Sequence, residues 1–203
     1  MKKIVILAVL AASCGFASAV TTTLTSSLQG TDALSGESAY SWGIPVALAP
    51  GQTITSASLS FSNIKLTAAN SSGKGILYSD LIKSSVVGTH TYNDGDAAGD
   101  YFAALPAANI VSLGSKVFAS VGTTLSWVVN FSPSQLASLN SFLTSGVFNI
   151  GFDPDCHYNV GAICFTYTTT TVNTPDAATT VYVLGLVLLG LEAARRKFAV
   201  AKK

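Results

Sequence analysis

Charge is what this sequence has least of. Asp, Glu, Lys and Arg make up 10% of its 203 residues, against about 25% in an average soluble domain. Arginine is missing from residues 1–194, and the two arginines are Arg195 and Arg196. Between residues 20 and 173, four lysines (Lys65, Lys74, Lys83, Lys116) stand against eight carboxylates, a net charge of −4. A nucleic-acid partner is excluded on that balance, because phosphate binding needs a basic patch. Histidine is as scarce, with only His90 and His157. There is no G-x-S-x-G, H-E-x-x-H or Walker A motif. Ser62-Asn63-Ile64-Lys65 spells S-x-x-K but has no companion S-D-N or K-T-G. The middle of the chain therefore reads as no enzyme. Cysteine is limited to Cys14, Cys156 and Cys164, and no C-x-x-C pair exists, which excludes a thioredoxin-like redox motif.

What is present is apolar: 49% of the residues are hydrophobic, and the ends carry the longest such runs. Lys2 and Lys3 precede an apolar stretch at 4–12, and Ala17-Ser18-Ala19 supplies small residues for signal peptidase. Residues 1–19 thus read as a signal peptide, too short to remain as a membrane helix. A competing lipobox at Ala11-Ala12-Ser13-Cys14 lacks the usual leucine three residues before its cysteine. At the other end, residues 177–194 would span about 27 Å as a helix. Arg195, Arg196 and Lys197 follow and would stay cytoplasmic under the positive-inside rule.

Physics alone gives an exported domain with a C-terminal stop-transfer helix, and a plain retained anchor fits that description. The residues carry more. Thr174-Pro175-Asp176, a helix punctuated by Leu-Gly-Leu at 184–186 and 189–191, and the Arg195-Arg196-Lys197 stop all lie within the last 30 residues. This tripartite order resembles a PEP-CTERM-type sorting signal in its VPD-like variant, with Thr174 where valine is usual. The resemblance implies processing by an exosortase-like membrane protease in a bacterium that makes exopolysaccharide. Residues 75–82 and 148–159 also look like segments recurring in exosortase-targeted β-sandwich proteins. That likeness implies a secreted surface or matrix protein and carries over no catalytic residue.

The middle of the chain reads as all-β. Ala57, Leu59 and Phe61 alternate along 53–66, then Ile64 and Leu66 fall on the other parity, which predicts a bulge near Ser62-Asn63. Leu125, Trp127, Val129 and Phe131 alternate likewise, and 147–152, 162–167, 20–28 and 40–48 read as further strands. Residues 76–83 fit a strand or a short helix. One helix is expected over 132–143, opened by Ser132 as N-cap, Pro133 at the first helical position and Gln135 three residues on. These elements predict a two-sheet antiparallel sandwich, jelly-roll-like, over 20–167. A threonine-rich spacer and sorting motif would follow at 168–176, and a transmembrane helix with a basic tail at 177–203.

Three groups are candidate sites. Cys156 and Cys164 lie symmetrically about Val160, flanked by Asn159 and Gly161. A hairpin turning there would set them opposite one another for a disulfide, the default after export. Asp94, Asp96 and Asp100 sit in a glycine-rich loop and are candidate calcium ligands, with a solvated turn as the simpler reading. Asp153, Asp155 and His157 suit either a turn or an ion. Trp42, Trp127, Tyr40 and Tyr92 could stack on a sugar, although the alternation around Trp127 favours the core. The expected role is a structural or adhesive surface or matrix protein associated with exopolysaccharide. Its alternatives are a carbohydrate-binding module and a plain membrane-anchored surface protein.

Overall fold

Alternating apolar and hydroxyl side chains pleat most of the chain into strands. The structure, a computed structural model, describes residues 19–28, 30–69, 75–95, 99–171 and 188–189. The strands are β1 (Ala19–Thr25), β2 (Gly30–Leu34), β3 (Ser38–Pro45), β4 (Gln52–Ala68), β5 (Gly75–Ile82) and β6 (Gly88–Asn93). After them come β7 (Ile110–Phe118), β8 (Thr124–Asn130), the helix α1 (Pro133–Phe142), β9 (Val147–Pro154), β10 (His157–Val160) and β11 (Ala162–Thr171). The segment 76–83, which fitted either structure, is strand through Ile82, with Lys83 in the loop that follows.

Two antiparallel sheets result. One runs β1-β11-β4-β10-β2 with β8 also on β4, and the other runs β6-β3-β9-β5-β7. Their inner faces share a single core. Tyr40, Trp42 and Ile44 come from β3, Leu77 and Leu81 from β5, and Phe148, Ile150 and Phe152 from β9. Facing them are Leu59, Phe61 and Leu66 from β4, Tyr158 from β10, and Ile163 and Phe165 from β11. Phe61 meets Phe152 edge to face across the sheets at 5.6 Å. Each such side chain contributes about 1.5–3 kcal/mol by leaving water. Trp42 and Tyr40 are buried here, and Trp127 stacks on Phe61 at 4.9 Å. The sugar platform imagined from them does not form.

The bulge expected in β4 is present. Pairing with β8 shifts register between Phe61 and Ile64, where Asn63 takes a left-handed φ of 49°. The helix α1 carries the predicted capping box: Ser132 Oγ accepts from Gln135 N, and Gln135 Oε1 accepts from Ser132 N. Asn140 ties the helix to β4, accepting from Ile54 N and donating to Ile54 O, both at 2.9 Å.

Two expectations are corrected. No disulfide joins Cys156 to Cys164, because the chain does not reverse at Val160. Instead β10 and β11 run in one direction along β4, with Gly161 N bonded to Ser62 O between them. Eight residue steps of nearly extended chain carry the two backbones up to about 26 Å apart, far beyond the roughly 7 Å limit for a bridge. The break in alternation at Gly161 also turns them to opposite faces: Cys156 is buried in the core, and Cys164 lies 3.6 Å from Thr25 Oγ1 on the outside. The second correction concerns Thr168–Thr171. These residues were expected as spacer, yet they continue β11, with Thr168 opposite Thr21 and Thr169 buried. Strand-favouring threonines paired in register with β1 extend the sheet to that point.

One compact unit covers Ala19–Thr170. The signal-peptide segment before Ala19, the sorting residues Thr174, Pro175, Asp176, Arg195, Arg196 and Lys197, and Asp96 lie outside the described residues. So does the expected membrane helix apart from Leu188 and Leu189. Among the described residues no helix is long and apolar enough to cross a membrane.

Candidate functional site

Every second residue of β9 leaves the core. Phe148, Ile150 and Phe152 point inward, so Asn149, Gly151 and Asp153 emerge on the far side of their sheet. Register places Gly43 of β3 and Ile82 of β5 beside Asn149, Ser41 and Asp80 beside Gly151, and Tyr78 beside Asp153. This outer face is not open to solvent. A Cβ at Gly43 would collide with Val86 O, so the turn after β5 lies directly on β3. A Cβ at Gly151 would come within 2.8 Å of the Phe102 ring and of Ile82 Cδ1. Phe102 belongs to the connection from β6 to β7, and it plugs the face against Ala39, Ile82, Tyr92 and Ile110.

Asp100 builds the plug locally. Its Oδ1 accepts from Phe102 N at 3.0 Å and starts the 3-10 turn Tyr101–Ala104. Tyr101 N in turn donates to Asp153 Oδ2 at 2.6 Å. The plug thereby covers two carboxylates with no exposed surface, Asp80 and Asp153. Neither oxygen of Asp80 meets a protein donor, nor does Oδ1 of Asp153. Burial is the main reason Asp80 is pushed up to about 8, and Asp100 and Asp153 add like charge. Burial also pushes Asp153 up to about 7, with the Tyr101 amide pulling the other way and Asp94, Asp100 and Asp155 adding to the rise.

Beside this acid pair lies a cleft of about 260 Å³. Asn149 and Ser41 are its buried polar groups, and the rings of Tyr92, Tyr101 and Phe102 line it, with Lys83 and Asn109 further out. Ser41 Oγ and the Tyr92 hydroxyl are 3.1 Å apart, and Asn149 Nδ2 donates to Ser41 Oγ at 3.4 Å. Asn149 Oδ1 has no donor although the residue is 1% exposed. Tyr92 and Tyr101 sit 5.7 Å apart, ring to ring.

The sequence-predicted residues distribute unevenly over this face. Asp100 joins it as the cap of the Tyr101–Ala104 turn, and its like charge contributes to the rise at Asp80. Asp94 N donates to Glu37 O, and its carboxylate adds to the charge around Asp153. Among the described residues no group of three or more His, Cys, Asp or Glu side chains is arranged to hold a metal ion. Asp153-Pro154 continues β9, and the chain bends at Asp155-Cys156 to cross from one sheet to the other. Asp80, Asn149, Ser41 and Tyr101 were missed. Their signal was a polar residue inside an apolar alternation: Asp80 just before Leu81-Ile82, and Asn149 between Phe148 and Ile150.

No protein-family model matches the chain, and no curated protein matches it.

Proposed function

We propose that this chain is an exported bacterial surface or extracellular-matrix protein with a structural or adhesive role in association with exopolysaccharide. In this reading signal peptidase removes residues 1–19. The C-terminal helix holds the protein in the inner membrane, and an exosortase-like protease acts at Thr174-Pro175-Asp176. The strand arrangement is read as a jelly-roll-like module that binds rather than catalyses, with no resident cofactor.

The observation that carries the reading is the extent of the compact unit. It spans Ala19–Thr170, beginning at the expected cleavage site and ending just before the Thr-Pro-Asp motif. Cleavage after Ala19 would take only the first residue of the edge strand β1, and cleavage at 174–176 would leave β11 whole, which suits successive processing at the two ends.

Peptide mapping of material from the cell surface or medium tests it. The mature chain should begin at Val20, end near 174–176 and lack the Arg195-Arg196-Lys197 peptide. Recovery of that peptide in most molecules, fractionating with inner membrane, would make the helix an ordinary anchor.

A further inference from the structure

We propose that β1 is a self-association edge, pairing antiparallel with β1 of a second copy of this chain across a two-fold axis at Thr23. The pairing goes beyond the surface or matrix role and does not depend on export.

An edge strand exposes unpaired amides and carbonyls, and chains that stay apart guard it with charge, proline, a bulge or a cover. Among the described residues, β1, β2, β6, β7 and β8 each have a partner on one side alone. All but β1 are guarded. Lys116 stands on β7, whose pairing slips beside the left-handed Gly114. Asp32 belongs to β2, and the register of that strand breaks between Tyr158 and Val160. The β8 ladder is broken between Phe61 and Ile64. On β6, Thr89 Oγ1 lies 2.9 Å from Ser27 Oγ, so the segment after β1 covers it in part. By contrast, β1 runs Ala-Val-Thr-Thr-Thr-Leu-Thr with no charge and no proline, and its pairing with β11 has no register shift.

The free side of β1 follows from its occupied side. Ser26 N donates to Ile163 O, and antiparallel ladders alternate. The amides of Leu24, Thr22 and Val20 therefore face β11, and those of Thr21, Thr23 and Thr25 face the open edge. These three threonines are exposed. A two-fold axis at Thr23 sets Thr23 opposite Thr23 and Thr21 opposite Thr25, and the copies exchange about six backbone hydrogen bonds.

The partner already on β1 indicates what suits its other side. Thr21 and Thr23 meet Thr168 and Thr166 of β11, hydroxyl to hydroxyl, at 3.0 and 2.9 Å. A second β1 brings threonine at the same alternate positions and extends that ladder in the same sheet. Neither β1 nor β11 carries a charged residue, so the copies meet without like-charge repulsion. Antiparallel pairing of a strand with itself also satisfies two-fold symmetry, the commonest in homodimers.

The test uses the purified full chain in density-matched detergent, followed by sedimentation equilibrium. A concentration-dependent dimer is expected. Thr23→Lys, which sets like charges opposite one another, should weaken it at least about tenfold. Thr23→Pro should do the same by removing an edge-facing amide, and should leave the monomer's melting temperature nearly unchanged because that amide makes no bond to β11. Position 23 supplies a direct readout, since Cα atoms of a hydrogen-bonded pair lie about 5.5 Å apart, within disulfide range. Thr23→Cys combined with Cys164→Ser should oxidise to a covalent dimer joined at position 23, and Thr124→Cys on β8 with Cys164→Ser should not join at position 124. A chain that stays monomeric at every concentration would overturn the proposal. So would a dimer that persists in both Thr23→Lys and Thr23→Pro, or one that cross-links at position 124 and not at 23.

Discussion

Asp80 is the residue whose environment departs furthest from what its type prefers. A carboxyl with no exposed surface and no protein donor survives in the fold by keeping its proton, and that has a thermodynamic consequence. The unfolded chain releases this proton near the ordinary carboxylate value of 3.8, whereas the folded chain holds it to about 8. Folding therefore takes up a proton between those values, and the favourable contribution, full in acid, is lost as the pH rises. Asp153, held up to about 7, acts in the same direction over a narrower window. The urea midpoint should fall steadily between about pH 4 and pH 8, the opposite of a protein held by salt-bridged carboxylates. Asp80→Asn should flatten that fall and raise the midpoint at the alkaline end. A midpoint that climbs with pH would show that the buried carboxylates are ionised and satisfied. Cys164 offers a second measurement at this scale. Because no bridge joins it to Cys156, Cys164→Ser should leave thermal stability nearly unchanged. Removing a disulfide would cost about 2–5 kcal/mol.

Among the elements, the connection from β6 to β7 decides what the outer face of its sheet can do. Its grip depends on Gly151, since only a residue without a side chain lets the Phe102 ring lie on β9. Gly151→Ala should push Phe102 off the sheet. The loss would be about 1–3 kcal/mol, typical of overpacking, and limited proteolysis should then cut within 94–109 while the core strands stay protected. Cutting spread evenly over the chain would mean that this connection is no separate unit. The glycine was visible in the sequence as one of many. Its role was not, because the atom it makes room for lies 49 positions away in the chain. The helix α1 is the contrary case. Its cap, its first proline and its glutamine are all within four residues, so local chemistry alone located it.

At the scale of the whole molecule, the edges of the sandwich matter most. β1 closes one side of its sheet by pairing with β11 from Ala19↔Thr170 to Thr25↔Cys164. Threonine hydroxyls meet across that pair, Thr21 to Thr168 at 3.0 Å and Thr23 to Thr166 at 2.9 Å. A chain covering residues 19–171 should unfold in one cooperative transition. Ending it at Tyr167 should lower the midpoint, since three residues paired with β1 are lost with Thr171, at about 0.5–1.5 kcal/mol for each hydrogen bond removed. Equal midpoints for the two lengths would return residues 168–171 to the spacer.

Patterns of short range settled much of this protein from sequence. Period-two alternation marked the strands and placed Trp127 with the core. A parity change located the β4 bulge, and a capping box located the helix. Each of these signals is complete within a dozen residues, which is why it can be read without coordinates. Tertiary structure decided the rest. Asn159 and Gly161 have the composition of a turn, yet the chain passes straight through them, because pairing of both β10 and β11 with the long β4 outweighs a local turn preference. The same long-range pairing separated the two cysteines and brought Asp80, Asp100 and Asp153 together from three distant segments. It also left Asn149 facing a cleft. Burial and register depend on which strands become neighbours, and neighbours that are remote in sequence leave no local signature for the chain to show.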